Sequence, residues 1–181
     1  MNGRREDIMA EIKSTLDLIM ERTKDLTLTE EEKAAIREKE ARERIRRLVS
    51  GCLDRRVDPE ELAAQIENGD RNEATRKREI LKEELIGRLD PERDNETILD
   101  LLEETGGMDT TALRALLAGY REERERERER RRYLFLKRME EKGISGSALV
   151  SEPDRDPSWR AWLEERAAAF RRRAAANLKA S

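Results

Sequence analysis

The sequence contains no histidine. That removes the commonest general base, the commonest metal ligand and the usual switch at neutral pH. It contains one cysteine, Cys52, so neither an internal disulfide nor a Cys-x-x-Cys metal site can form. A single thiol of this kind reads as a small buried apolar residue on a helix and fits a reducing cytoplasm. Aromatic residues make up 3% of the 181 residues and hydrophobic residues 36%. The second figure lies below the roughly 45–50% of an ordinary globular domain, a range that also counts glycine. One large core is therefore not expected. The four prolines stand at expected helix starts rather than inside helices. No stretch approaches the ~20 apolar residues of a membrane span. The opening "MNGRREDIMAEIKSTLDLIM" carries charges throughout, without the apolar centre of a signal peptide. These features predict a soluble, cytoplasmic protein with no membrane partner.

What the chain has in abundance is charge, 45% of its residues. Charge this dense can mean disorder, but the apolar residues recur at helical spacing, which favours long solvated helices with narrow apolar stripes. The net charge of −3 is unevenly spread: residues 1–120 carry 22 Lys and Arg against 30 Asp and Glu, and residues 121–181 carry 17 against 12. The basic final third suits an anionic partner, or the acidic front of this chain or of a second copy.

A first helix is expected over about 5–24, where Ile8, Ile12, Leu16, Ile19 and Met20 share one face. Thr29 and Glu32 form a capping box for a second helix over about 30–50, with Gly51 at its end or inside it. Asp58–Pro59, Asp90–Pro91 and Asp156–Pro157 each read as an Asp N-cap followed by proline at the first helical position. Asn68 and Gly69 suit a left-handed helix end, and Asp109 or Thr110 the next N-cap. The expected fold is all-α, with about seven helices forming a small bundle and one long charged helix as a coiled-coil-like arm. Three regions are expected: 1–107 helical, 108–143 the long helix, and 144–181 a loop with the C-terminal helix, or all of these as one extended domain.

The long helix holds "REERERERERRR" from Arg121 to Arg132, with no apolar residue. Arg and Glu favour helix over strand. Opposite charges fall at i,i+3, as in Glu127/Arg130, and like charges at i,i+4, as in Arg124/Arg128, so the contributions partly cancel. The run spans about 18 Å between two apolar patches. Leu113, Leu116, Leu117 and Tyr120 form the first; Tyr133, Leu134 and Leu136 lead the second. The expected role is a solvated bridge between helical clusters or subunits. Together with Ile144, Leu149, Val150, Trp159 and Trp162, these are the candidate oligomer or partner contacts. The stretch "GISGSALVSEP" (143–153) reads either as a loop folded back on a helix pair or as an extended piece for a partner's groove. Arg171, Arg172 and Arg173 are candidate anion contacts, without the interleaved aromatics of single-strand recognition.

Catalytic motifs are missing. There is no phosphate loop, no G-x-G-x-x-G and no EF-hand spacing, and Ser145 and Ser147 have no histidine to activate them. No catalytic, cofactor-binding or metal residue is expected, and the chain is not expected to be an enzyme. The order of pieces, from "IKSTLDLIMERTKDLTLTEEEK" to "KGISGSALV" before a "DPSW" helix, resembles an uncharacterised family of bacterial cytoplasmic helical proteins. That resemblance implies no known activity and carries over no functional residue. Self-association as a dimer or larger is the first expected partnership, because narrow stripes leave a monomer short of core. A non-enzymatic scaffold or adaptor is the leading functional expectation. The alternative is a nucleic-acid-associated protein using its basic final third.

Overall fold

The computed structural model describes residues 29–144, 146 and 156–178. The chain divides into two compact units, residues 1–41 and 42–181. The described part of the first holds the start of α1 (Glu30–Leu53). The expected capping box closes there: the Glu32 backbone N–H donates to Thr29 Oγ1 at 3.1 Å, and the Thr29 N–H donates to Glu32 Oε2 at 2.8 Å. The expected helix over 5–24 lies outside the described residues.

Residues 42–181 contain the end of α1 and then α2 (Pro59–Glu67), α3 (Arg71–Gly87), α4 (Glu96–Glu104), α5 (Thr111–Glu141) and α6 (Pro157–Leu178). The fold class is all-α, with six helices among the described residues. Helix α3 is central, packing on α2, α4 and α6, while α5 packs along α6. Val49, Leu62, Ile66, Leu81, Leu85, Leu99, Leu101, Leu102 and Leu113 are fully buried at this junction. One aliphatic residue from nearly every turn is enough because each helix lends only a stripe. Helix α1 buries Ile45, Val49 and Cys52, and its polar edge is tied to α3. Arg42 pairs with Glu83 at 2.7 Å, and Arg88 Nη2 donates to Ser50 Oγ at 2.9 Å.

Gly51 lies inside α1. A Cβ there would run into the Val57 side chain, because the chain reverses over Gly51 and its carbonyl accepts from the N–H groups of Arg56 and Val57. Cys52 beside it is buried, and burial first, then the charges of Asp58 and Glu61, pushes its thiol pKa up. Gly69 adopts φ +117°, the conformation that lets α2 end and the Asp70 cap of α3 begin.

Two of the three Asp-Pro pairs open helices as expected. Asp58 accepts from the Glu60 N–H at 3.3 Å, and Asp156 from the Ser158 N–H at 2.9 Å. Asp90–Pro91 does not. It forms a turn, and α4 begins only at Glu96. The physical reason is Asn95, 3% exposed. Its Oδ1 accepts from the Asp90 N–H at 3.0 Å, and its Nδ2 donates to the carbonyls of Asp90 at 2.8 Å and Arg93 at 2.9 Å. The side chain thus takes up the Asp90 and Arg93 carbonyls, which a helix starting at Pro91 would have used itself, and ties the Asp90 N–H back to the turn. At α5, the Thr111 N–H is capped by Asp109 Oδ1 at 2.9 Å. Thr110 is buried and donates its hydroxyl to Glu103.

Candidate functional site: the charged helix and its C-terminal partner

Helix α5 is continuous through "REERERERERRR". Every fourth or so residue of the run returns to the same side, and that side is not free. Tyr120, Glu123, Glu127 and Arg131 meet α6 or turn towards it; Arg124 meets the 90–95 turn. The run is docked along one face, where Glu123, Arg124, Glu127 and Arg131 are half-buried, and open on the other.

The two helices run antiparallel in one register. At one end, the rings of Tyr120 and Phe170 meet edge to face at 6.2 Å and 67°. In the middle, Arg166 pairs with Glu123 at 3.3 Å. At the other end, Arg131 donates to Asp156 at 3.2 Å and to Ser158 Oγ at 2.7 Å, and its guanidinium stands 5.5 Å from the centroid of Trp159. Trp159 stacks on Trp162 at 5.3 Å, nearly parallel, and Arg166 lies over Trp162 at 5.6 Å. These contacts make a continuous ladder of cation, indole, indole and cation, in which each guanidinium also holds a carboxylate.

Glu127 anchors the run. Arg130 donates to both of its oxygens at 2.7 and 2.8 Å, and Arg131 to one of them at 2.8 Å. The side chain is 13% exposed. Hydrogen bonds from Arg130 first, and from Arg131, hold its carboxyl at about 2 against the opposing effect of burial. On the other flank, Glu92 accepts from the Tyr120 hydroxyl and pairs with Arg124 at 3.1 Å. Burial, followed by that carboxylate, pushes the Tyr120 hydroxyl well above its usual range. The misplaced Asp90–Pro91 turn thus serves to present Glu92 to α5.

The candidate contact residues fall into separate groups. Leu113, Leu117, Tyr120 and Trp159 are buried within the chain's own core. Leu116 and Trp162 are half-buried beside the α5–α6 groove. Tyr133, Leu134, Leu136 and Ile144 are exposed, Tyr133 to 65%. Leu149 and Val150 lie outside the described residues. Arg171, Arg172 and Arg173 are exposed on α6, and none forms an ion pair among the described residues. The expected i,i+3 pair Glu127/Arg130 forms at 2.7 Å, whereas Glu92, Glu123, Arg131 and Arg166 were not singled out by sequence reasoning. The available signal was the break in alternation at Arg131, which puts opposite charges at i,i+4 from Glu127.

Among the described residues no cluster of histidine, cysteine or acidic side chains could hold a metal ion, and no helix is long and apolar enough to cross a membrane. Compared with known proteins, the chain matches no family model, no curated protein and no solved structure.

Proposed function

We propose that this protein is a non-enzymatic helical scaffold or adaptor that works through helix–helix association, as a homo-oligomer. The carrying observation is the turn "YLFL" at 133–136. Four consecutive apolar residues cover every side of a helix, and a helix that is apolar all round belongs in an interior. Here Tyr133 is 65% exposed and Leu134 and Leu136 are each 37% exposed, while Phe135 is half-buried. Helix α6 begins at Pro157, level with Arg131, so no described helix covers this turn. The same turn from a second copy suits it in kind. The ionic docking of residues 123–131 on α6 supports the reading by fixing the direction in which the turn projects.

Light scattering on a sizing column, at about 0.1 M and about 1 M salt, tests this. A dimer or larger species at both salts is expected, since apolar seams resist screening. The double substitution Leu134→Glu with Leu136→Glu should return it to a monomer with unchanged helix content. A native monomer at both salts would overturn the proposal.

The second reading, nucleic-acid association, is favoured by Arg171, Arg172 and Arg173 alone. Arg124, Arg130 and Arg131 are already committed to carboxylates of the chain. Phosphate binding would show as an affinity that falls steeply between these two salts.

A further inference from the structure

Between α5 and α6, beside the ionic ladder, runs an open groove. Its larger hollow, about 680 Å³, carries Arg126, Arg130, Arg166 and Arg173 against only Glu123 and Glu127. A second hollow of about 520 Å³ continues it, with Ala112, Ala115, Leu116 and Ala176 as its apolar surface; Arg173 lines both. We propose that this groove binds an amphiphilic organic anion, with its acidic head between Arg166 and Arg173 and its apolar body along the alanine-lined floor.

Three features support the assignment. The first is uncompensated charge: both glutamates are engaged, Glu127 by Arg130 and Arg131 and Glu123 by Arg166, while Arg173 forms no ion pair among the described residues. The second is an unmet donor. Arg166 Nε is buried without a hydrogen-bond partner among the described residues, and a buried donor left unpaired favours an acceptor that reaches it. Its guanidinium is held by Glu123 at 3.3 Å, loose enough for an anion in the groove to draw it across and give Nε an acceptor. The third is shape. Arg166 and Arg173 stand two turns apart on one face of α6 with Phe170 between them, and Gly119 on α5 also lines this hollow. A Cβ at Gly119 would meet nothing within 4 Å, so the space over it is empty. A carboxylate or phosphate head fits two arginine forks. An aliphatic body gains from the apolar floor that a bare inorganic anion cannot use.

The probe is 8-anilinonaphthalene-1-sulfonate, an aromatic body carrying a fixed anionic group, titrated into the full chain by fluorescence. One saturable site per chain is expected. Arg173→Gln should weaken it at least tenfold and Arg171→Gln should not change it. Gly119→Leu should abolish binding while the helix melts at or above the native temperature, since it fills empty space and removes a helical glycine. Decanoate should displace the probe, and inorganic phosphate at the same concentration should not. The Leu134→Glu/Leu136→Glu variant should bind as the native chain does, which separates this site from the oligomer contact. Non-saturable binding, native affinity in both Arg173→Gln and Gly119→Leu, or equal displacement by phosphate would each overturn the assignment.

Discussion

Arg131 lies over the indole of Trp159, its guanidinium carbon 5.5 Å from the ring centroid, while its nitrogens hold Glu127, Asp156 and Ser158. One side chain from the most charged stretch thereby closes the far end of the α5–α6 pair.

Arg131→Lys should therefore fail as a conservative change. Lysine keeps the charge but loses the planar fork and the stacking face. Urea unfolding should show a loss of about 1–2 kcal/mol for lysine and somewhat more for alanine. A double-mutant cycle with Glu127→Gln should return a coupling of about 1 kcal/mol. Additive single losses would mean that the pair contributes nothing jointly.

Acid should weaken this seam through Glu127. Its folded pKa of about 2 lies below the ordinary 4.5. A depressed carboxyl adds stability that is fully present above the unfolded value and is lost as pH falls through the folded one. The window is therefore from about pH 4.5 down to about pH 2. With Arg130 62% exposed, solvent screening cuts the linkage to roughly 1–2 kcal/mol. Thermal melts across this range should be flatter for Glu127→Gln than for the native chain.

Base should act through Tyr120, in the opposite sense. Its hydroxyl pKa is raised by burial and by Glu92. The folded state favours the protonated phenol, so that stability is present below about pH 10, the unfolded value, and is lost as pH rises beyond it. Tyr120→Phe should remove the alkaline loss without touching the acid one.

Leu113 and Leu136 sit on the same helix and should answer differently. Leu113 is fully buried, so Leu113→Ala should cost about 2–5 kcal/mol in denaturant unfolding. Leu136 is 37% exposed. Leu136→Ala should leave helix content intact and lower the average mass seen by light scattering.

Asn95 should tolerate no substitute. Asn95→Ala removes the acceptor of the Asp90 N–H and the side-chain donor to the Asp90 and Arg93 carbonyls, at a cost of about 1–3 kcal/mol. Asn95→Asp keeps the acceptor and loses the donor. The readout that distinguishes a local fault from general unfolding is hydrogen exchange at Asp90, which should accelerate before the α3 amides do.

Helix identity was legible because it rests on local chemistry. Thr29 with Glu32, Asp58 before Pro59 and Asp156 before Pro157 each satisfy donors within a few residues, and the structure keeps all three. Asp90–Pro91 misled because the deciding residue, Asn95, acts from five positions away and from a buried site. The docked face of the charged run was hidden for a different reason. A search for apolar periodicity finds cores made of hydrocarbon, whereas α5 and α6 meet here through carboxylates, guanidinium groups and indoles. The apolar turn at Tyr133–Leu136 was visible as a patch, but only the starting point of α6 at Pro157 shows that no described helix covers it.

The antiparallel register of α5 and α6 has a consequence of its own. An alternating Glu–Arg run is degenerate under translation: a slip of four residues, about 6 Å, places Glu127 where Glu123 stood and exchanges like for like over most of the stretch. Charge can hold such a pair together but cannot tell its rungs apart. Phase information resides at the two ends, where Phe170 finds Tyr120 and Trp159 finds Arg131. The aromatics, 3% of the sequence, act there as index marks on a ruler whose other graduations are identical.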